Sequence, residues 1–124
     1  MSALPARFAE RDLVIEVQES GEEIRLVWSG KSIDREPGRF LMPIFNQLLE
    51  RVRGDPKRIA IDFSRVEYMN SSTFAPLVKL LDAARRSGAS VVLEYSPSRN
   101  WQTLSFTALR TFETPDGRIA VRAK

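Results

Sequence analysis

The sequence predicts an α/β domain with a mixed β-sheet and helices mainly on one face of that sheet. Two runs of β-branched residues flank a Ser-Gly turn, which is typical of an antiparallel hairpin. Further along, segments with apolar residues at three- and four-residue spacing alternate with short apolar runs, and each predicted helix has a polar side. Because helical crossovers join parallel strands, this alternation predicts parallel pairing after the hairpin. The element order is β-β-α-β-α-β-α-β, and we expect residues 1–124 to form a single domain, since a typical domain has about 100–200 residues.

The first half of the chain divides into a hairpin, a helix and a buried strand. The predicted hairpin strands are Asp12–Val17 and Ile24–Trp28, and Ser29-Gly30 is expected to end the second strand. Gly54-Asp55-Pro56 supplies residues that commonly end a helix. The mostly apolar run Ile59–Phe63 predicts a central strand. The apolar stripe of the helix consists of Phe40, Leu41, Ile44, Phe45, Leu48, Leu49 and Val52.

The second half contains two further pairs of helix and strand. A helix is predicted from Thr73, which we expect to be its N-cap, because Pro76 then falls where its ring and its missing N–H are tolerated. Gly88 stands at the other end of this helix, where a left-handed residue is common. The remaining predicted elements are a strand at Ser90–Tyr95, a helix over 100–112 and a strand at Ile119–Val121.

Composition excludes several classes of protein. Of the 124 residues, 43% are hydrophobic and 28% are charged, and the formal net charge is +3. With no Cys and no His, the chain lacks the residues for disulfides, for zinc sites with nitrogen or sulfur ligands and for imidazole-based catalysis. The N-terminal residues lack the pattern of a signal peptide, and no apolar run approaches the roughly 20 residues of a membrane span. We therefore expect a cytoplasmic protein that is not an enzyme and has no metal, no cofactor, no nucleic acid partner and no membrane insertion.

The most informative segment runs from Ile59 to Leu81, where a predicted strand, a loop and a helix follow one another. The loop ends in Asn70-Ser71-Ser72-Thr73, so three hydroxyls stand at the start of the helix. Ser71 and Ser72 are expected just outside the helix, where its dipole favours an exposed phosphoryl group by about 0.3–1 kcal/mol. Asn, Ser and Thr are also common helix caps, so capping alone would explain the same residues.

This segment resembles the STAS domains of bacterial anti-sigma-factor antagonists. In that family a strand ends in Asp-hydrophobic-Ser, and a hydrophobic-Met/Leu-Asp-Ser-Ser/Thr-Gly turn then precedes a helix. Here Asp62-Phe63-Ser64, Tyr68-Met69 and Asn70–Thr73 occupy the corresponding places. The element order also agrees with the STAS fold, so the resemblance covers nearly the whole chain.

Two residues depart from the family pattern. Asn70 stands where the family usually has Asp, which removes a charge beside the acceptor hydroxyl. Thr73 stands where the family usually has Gly, which stiffens the turn and adds another hydroxyl. Together with Ser29-Gly30-Lys31-Ser32 before the first helix, the Asn-Ser-Ser sequence is also similar to small STAS-like phosphoproteins that control a diguanylate cyclase.

The resemblance implies a regulatory binding module that is switched by phosphorylation. By its position, Ser71 would accept the phosphoryl group, with Ser72 and Thr73 as fallback acceptors. The partner would be a serine kinase or anti-sigma factor, a phosphatase or a diguanylate cyclase, and phosphorylation of Ser71 would release it. The switch loop would contain Asp62, Asn70, Ser72 and Thr73. On the exposed side of the next helix, we expect Lys79, Asp82 and Arg86 to be the polar contacts with the partner.

Two further functions remain open at this point. A STAS scaffold that is never phosphorylated would assemble with copies of itself or with a transporter, and homo-oligomers are compatible with either hypothesis. A third hypothesis is a weak binder of a small ligand such as a nucleotide or a lipid. Three successive hydroxyls favour the switch, because a scaffold needs only one capping residue.

Overall fold

The computed structural model describes residues 4–124, in which six strands form one sheet and three helices pack against it. The strands are β1 (Arg7–Glu10), β2 (Leu13–Glu19), β3 (Glu23–Ser32), β4 (Arg58–Met69), β5 (Ser90–Tyr95) and β6 (Ile119–Ala123). The helices are α1 (Gly38–Gly54), α2 (Phe74–Ser87) and α3 (Asn100–Ala108). Short 3₁₀ turns cover Ser71–Thr73 and Leu109–Phe112, so the predicted helix over 100–112 is α3 followed by such a turn.

The strands lie side by side in chain order, from β1 to β6. The pairs β1–β2 and β2–β3 are antiparallel, and every later pair is parallel. This confirms the predicted hairpin and the predicted parallel crossovers. Each crossover steps to the next strand in the same direction, and crossovers of one hand therefore bring all three helices to one face. The mixed sheet with helices on one face is the predicted fold class.

The core lies between this face and the helices. The rings of Trp28, Phe63 and Phe106 form its centre, with centroid distances of 4.7 Å from Phe63 to each of the other two. The opposite face has no helix and carries ion pairs instead, such as Arg25 with Glu94 at 2.6 Å. These different faces explain why apolar and polar residues alternate along the strands.

Strand β1 is absent from the predicted element order, which had five strands. Its sequence, Arg7–Glu10, contains a single large apolar residue, Phe8, and this side chain is only partly buried. The strand forms because β2 offers it an edge, reached through a tight turn in which Arg11 has a φ of 52°. A strand that forms by pairing with an existing edge needs few strand-favouring residues of its own, so the local sequence does not indicate it.

The prediction that β4 ends at Phe63 was wrong, because the strand continues to Met69. Its second half pairs with residues 29–32 of β3, which continues past the expected stop at Ser29-Gly30. Gly30 has a φ of 89°, and the register between the two strands shifts next to it. A Cβ at this position would lie 1.9 Å from the backbone oxygen of Asp12. Gly30 therefore forms a bulge that allows the strand to continue rather than ending it.

Candidate functional site

The residues between β4 and α2, which we call the switch turn (Asn70–Thr73), connect the end of a central strand to a helix. The Asn70 N–H donates to the backbone oxygen of Ser32 at 3.0 Å, so the turn begins beside the end of β3. Ser71 and Ser72 are exposed, and Thr73 is fully buried. The turn thus presents two of its three hydroxyls to solvent.

Thr73 has the expected position at the start of α2 but not the expected capping role. α2 begins at Phe74, directly after Thr73, but the Thr73 side chain makes no capping hydrogen bond to the helix. Asn70 is the capping residue, because its Oδ1 accepts from the Thr73 N–H at 3.1 Å. Ser71 and Ser72 lie outside α2, as expected, but within a 3₁₀ turn, Ser71–Thr73, that leads into the helix. Asn70 has the extended backbone that an N-cap requires, with φ of −73° and ψ of 163°.

Burial removes Thr73 from the fallback phosphoacceptors. Its side chain has no exposed surface, and its Oγ1 lies 2.7 Å from Ser32 Oγ and 2.6 Å from Asn70 Oδ1. A kinase must reach the hydroxyl that it phosphorylates. The Thr73 hydroxyl is buried beneath the turn, where it is hydrogen-bonded to Ser32 and Asn70. Ser71 and Ser72 remain as candidate acceptors.

Asp62 does not belong to the switch turn, contrary to the sequence-based expectation. It lies in the middle of β4, about 25 Å from Asn70 at the usual rise of an extended strand. Its carboxylate accepts from the N–H and the Oγ of Ser64, at 2.8 Å and 2.6 Å, and from the Lys124 ammonium. Burial by itself would raise the pKa of the Asp62 carboxyl, but the hydrogen bonds from Lys124 and Ser64 outweigh it and lower the pKa. Asp62 therefore stabilises the strand rather than the site.

Removing the ammonium from Lys124 is expected to make stability depend differently on pH. In the parent, the Asp62 pKa lies below its unfolded value of about 3.9, so its contribution is present above that pH and is lost as the pH falls through the folded pKa. Lys124→Met should lower stability by about 1–2 kcal/mol at neutral pH, because the buried carboxylate then lacks its cation. The deficit should shrink below pH of about 4, where the carboxyl is protonated.

Urea unfolding from pH 3 to pH 8 checks this prediction. Arg122→Met is the matched control, because Arg122 is exposed on β6, two residues before Lys124, and makes no ion pair within residues 4–124. A Lys124→Met curve that runs parallel to the parent curve at every pH would show that the ion pair contributes nothing.

The three residues expected to contact a partner lie along the exposed side of α2. Lys79, Asp82 and Arg86 are all exposed, and Asp82 pairs with Arg86 at 2.7 Å. Along the helix, Lys79 is about 12 Å and Arg86 about 22 Å from Ser71 at 1.5 Å per residue. Ser71 thus lies at one end of this helix surface and not at its centre.

A family comparison identifies the domain to which this geometry belongs. The model of the STAS domain matches residues 11–116, which include the hairpin, the switch turn and all three helices. The chain belongs to the STAS family. Membership confirms the resemblance drawn from residues 62–73 and from the element order, and it supports a regulatory or interaction module. None of the curated proteins matches the chain significantly.

Two solved structures resemble this STAS domain. A chain in the complex of the diguanylate cyclase SiaD with its activator SiaC from Pseudomonas aeruginosa matches with a TM-score of 0.62 and 19% identity, covering 95% of this chain and 98% of that chain. An uncharacterized protein with a SpoIIAA-like fold from Shewanella loihica PV-4 matches with a TM-score of 0.53 and 13% identity, covering 100% of this chain and 90% of that chain. At these identities the likeness shows the fold.

The described residues of this STAS domain contain neither a candidate metal centre nor a membrane span. Within residues 4–124, no group of three or more His, Cys, Asp and Glu side chains could hold a metal ion. None of the helices in that range combines the length and the hydropathy needed to cross a membrane.

Gln102 is a residue of this region that the sequence did not indicate. It is fully buried on α3, and its Nε2 donates to the backbone oxygens of Phe63 at 2.7 Å and Val66 at 2.9 Å. Its Oε1 accepts from the Ser96 N–H at 2.7 Å. These bonds satisfy backbone groups where β4 continues beyond its pairing with β5. Gln102 thereby supports the part of β4 that leads to the switch turn.

Proposed function

We propose that this STAS domain is a regulatory binding module whose association with a protein partner is switched by phosphorylation of Ser71. The observation that carries the proposal is the exposure of Ser71 on an anchored turn. The unphosphorylated domain binds its partner, and the phosphorylated domain is released. Neither the Ser71 nor the Ser72 hydroxyl has a hydrogen-bond partner among the described residues, so no internal bond must break before either one enters the active site of a kinase.

The start of α2 supports a fold that survives modification. The positive end of the helix dipole interacts favourably with a nearby anion, by about 0.3–1 kcal/mol at an exposed site. A phosphoserine adds about 1.5–2 negative charges at neutral pH. Phosphorylation therefore changes the charge of the surface at the start of α2 without destabilising the helix.

The chemistry around Ser71 supports a contact surface on both sides of the turn. Ile33 and Tyr68 are 40% and 51% exposed. Tyr68 lies two residues before Asn70 and pairs with Lys31 in the sheet, and Ile33 follows Ser32, whose backbone oxygen accepts from the Asn70 N–H. On the other side, the exposed face of α2 leads to Lys79. With contacts on both sides, a phosphate on Ser71 would be central to the interface, where an unpaired charge is most unfavourable.

Two partner classes follow from the family and from the fold. A serine kinase or anti-sigma factor, opposed by a phosphatase, is the partner type of the antagonists that the switch segment resembles. The fold likeness to a complex of a diguanylate cyclase with its activator supports a cyclase as the second class. In both cases the same surface of the STAS domain would contact the partner, and the domain itself would perform no catalysis.

Phosphopeptide mapping with a kinase encoded beside the gene for this chain tests the proposal. We expect phosphate on Ser71 in the parent and in Ser72→Ala, and none on Ser71→Ala. Phosphate found only outside residues 71–72, or none on any residue, would contradict the switch and favour the unphosphorylated scaffold. Genome neighbours of the cyclase and phosphatase classes supply the binding partners to be tested in the same way.

Reversing the charge of Lys79 is expected to weaken the complex with little effect on stability. Lys79 is exposed and makes no ion pair within residues 4–124, so Lys79→Glu should leave the melting temperature nearly unchanged. Affinity should fall about fivefold, as expected for a single charge at the edge of an interface. Calorimetric titration of the partner measures this change.

Arg7→Glu is the matched control for Lys79→Glu. Arg7 is equally exposed and unpaired among the described residues, but it lies on the edge strand β1. Equal losses for the two variants would mean that only net charge matters and that α2 does not contact the partner. A parallel loss of stability and affinity in Lys79→Glu would mean that its role is structural.

A further inference from the structure

The switch turn rests on a short series of buried polar groups. Only four polar residues are buried among residues 4–124, and two of them, Ser32 and Thr73, bond to each other at 2.7 Å. Thr73 Oγ1 also lies 2.6 Å from Asn70 Oδ1, and Asn70 Nδ2 lies 2.7 Å from the backbone oxygen of Asp34. The series thus connects the end of β3, the switch turn and the loop before α1.

Hydrogen-bond chemistry determines the direction of every bond in this series. An amide oxygen can only accept, so the Thr73 hydroxyl must donate to Asn70 Oδ1. Thr73 Oγ1 then has no second proton, so Ser32 Oγ must donate to it. The Asn70 amide must point its nitrogen at Asp34, because a backbone oxygen cannot donate. Each hydroxyl and amide atom of the series therefore acts as the donor or the acceptor that its bonding partner requires.

We propose that Ser32, Thr73 and Asn70 form a positioning relay that determines the conformation of Ser71 and requires a neutral residue at position 70. This inference deepens the proposed function and rests on it for the role of Ser71. The two departures from the family pattern are then one feature, because the Thr73 hydroxyl donates to the Asn70 amide. Neither residue is the proposed phosphoacceptor, so both are positioning residues.

An aspartate at position 70 could not replace the amide at neutral pH. Its second oxygen would face the Asp34 backbone oxygen at about the present 2.7 Å, with no proton between the two acceptors. Protonation would restore a donor to that bond. The carboxyl at position 70 should therefore have a raised pKa in the folded state, and its protonated form should be favoured as the pH falls.

Amide hydrogen exchange and unfolding as a function of pH test the relay without a partner. In Thr73→Val, which keeps the shape but loses the hydroxyl, exchange of the hydrogen-bonded amides of Asn70 and Thr73 should be about tenfold faster, and amides of the central strands should change less. Ser72→Ala, which removes an exposed hydroxyl next to the relay, should leave exchange in the turn unchanged. Unchanged exchange in Thr73→Val would overturn the relay.

Asn70→Asp provides the readout that a merely structural role would not change. Its melting temperature should lie below that of the parent at pH 7, and the difference between the two melting temperatures should decrease as the pH falls towards 4. A difference that stays constant over this pH range would overturn the requirement for a neutral residue. Asn70→Ala is the control, because it removes all three side-chain hydrogen bonds of Asn70 but adds no titrating group. The difference between its melting temperature and that of the parent should not change with pH in that range.

A kinase assay separates the relay from the proposed function. Phosphorylation of Ser71 in Thr73→Val should show kcat/KM about tenfold lower than in the parent, because the acceptor is held less firmly. If the exchange effect appears but the kinase phosphorylates neither the parent nor the variant, the relay stands and the phosphorylation switch fails. If Ser71 is phosphorylated equally in both and turn exchange is unaltered, the switch stands and the relay fails.

Discussion

Replacing Ser71 by aspartate is expected to weaken partner binding at least about tenfold, and phosphorylation of the same residue about a hundredfold. Aspartate adds one negative charge and the phosphoryl group nearly two, at a point that the proposed interface buries. An unpaired buried charge is unfavourable by several kcal/mol, and about 3 kcal/mol already corresponds to a hundredfold. Because Ser71 is exposed and its side chain makes no hydrogen bond among the described residues, the melting temperature should hardly change.

The controls for this prediction come from the same turn. Ser71→Ala should bind as tightly as the unphosphorylated parent and should stay bound in the presence of kinase and ATP. Thr73→Asp should unfold the domain or distort the turn, because Thr73 is fully buried. Undiminished binding of Ser71→Asp, measured with a partner that binds the parent, would show that the turn lies outside the interface.

Replacing Gly30 by alanine is expected to lower the free energy of unfolding by about 3 kcal/mol or more. The new Cβ would lie 1.9 Å from the Asp12 backbone oxygen, and the backbone has a φ of 89° that only glycine adopts without strain. Relief would require the β1–β2 turn or β3 to move. Ser32 follows two residues later, so the bulge also places the first group of the relay.

Gly88→Ala separates the two causes of this loss. Gly88 has a similar φ of 82°, but a Cβ there would meet no atom within 4 Å. It should therefore lose only about 1 kcal/mol, the unfavourable energy of a left-handed alanine. Chemical denaturation measures both variants, and equal losses would mean that Gly30 is not in close contact with the turn before β2.

Much of the fold could be predicted because its signals are local in the sequence. The apolar stripe of α1 and the left-handed Gly88 at the end of α2 each depend on residues within a few positions of one another. The order of strands and helices then restricts the pairing, since right-handed crossovers allow few arrangements. The switch segment was identified in the same way, from consecutive residues that resemble a family pattern.

The errors concern positions whose environment is supplied by distant residues. The end of β4 was placed too early because its second half is polar on one side and is stabilised by residues 29–32 of β3. Asp62 was assigned to the loop for the same reason. Gln102 shows no local pattern at all, although it satisfies backbone groups of residues 39 and 36 positions away.

The sequence by itself determined the fold class, the order of every element after β1, the resemblance to the STAS family and the position of three hydroxyls at residues 71–73. Only the tertiary structure decided that Thr73 is buried, that Asn70 is the capping residue and that both depend on Ser32. Thr73 and Ser32 are 41 positions apart, and their hydroxyls meet because the bulge at Gly30 carries β3 forward to the switch turn. Helical stripes and caps are interactions between near neighbours, so they appear in the sequence, whereas the burial of a hydroxyl depends on which strand lies against it.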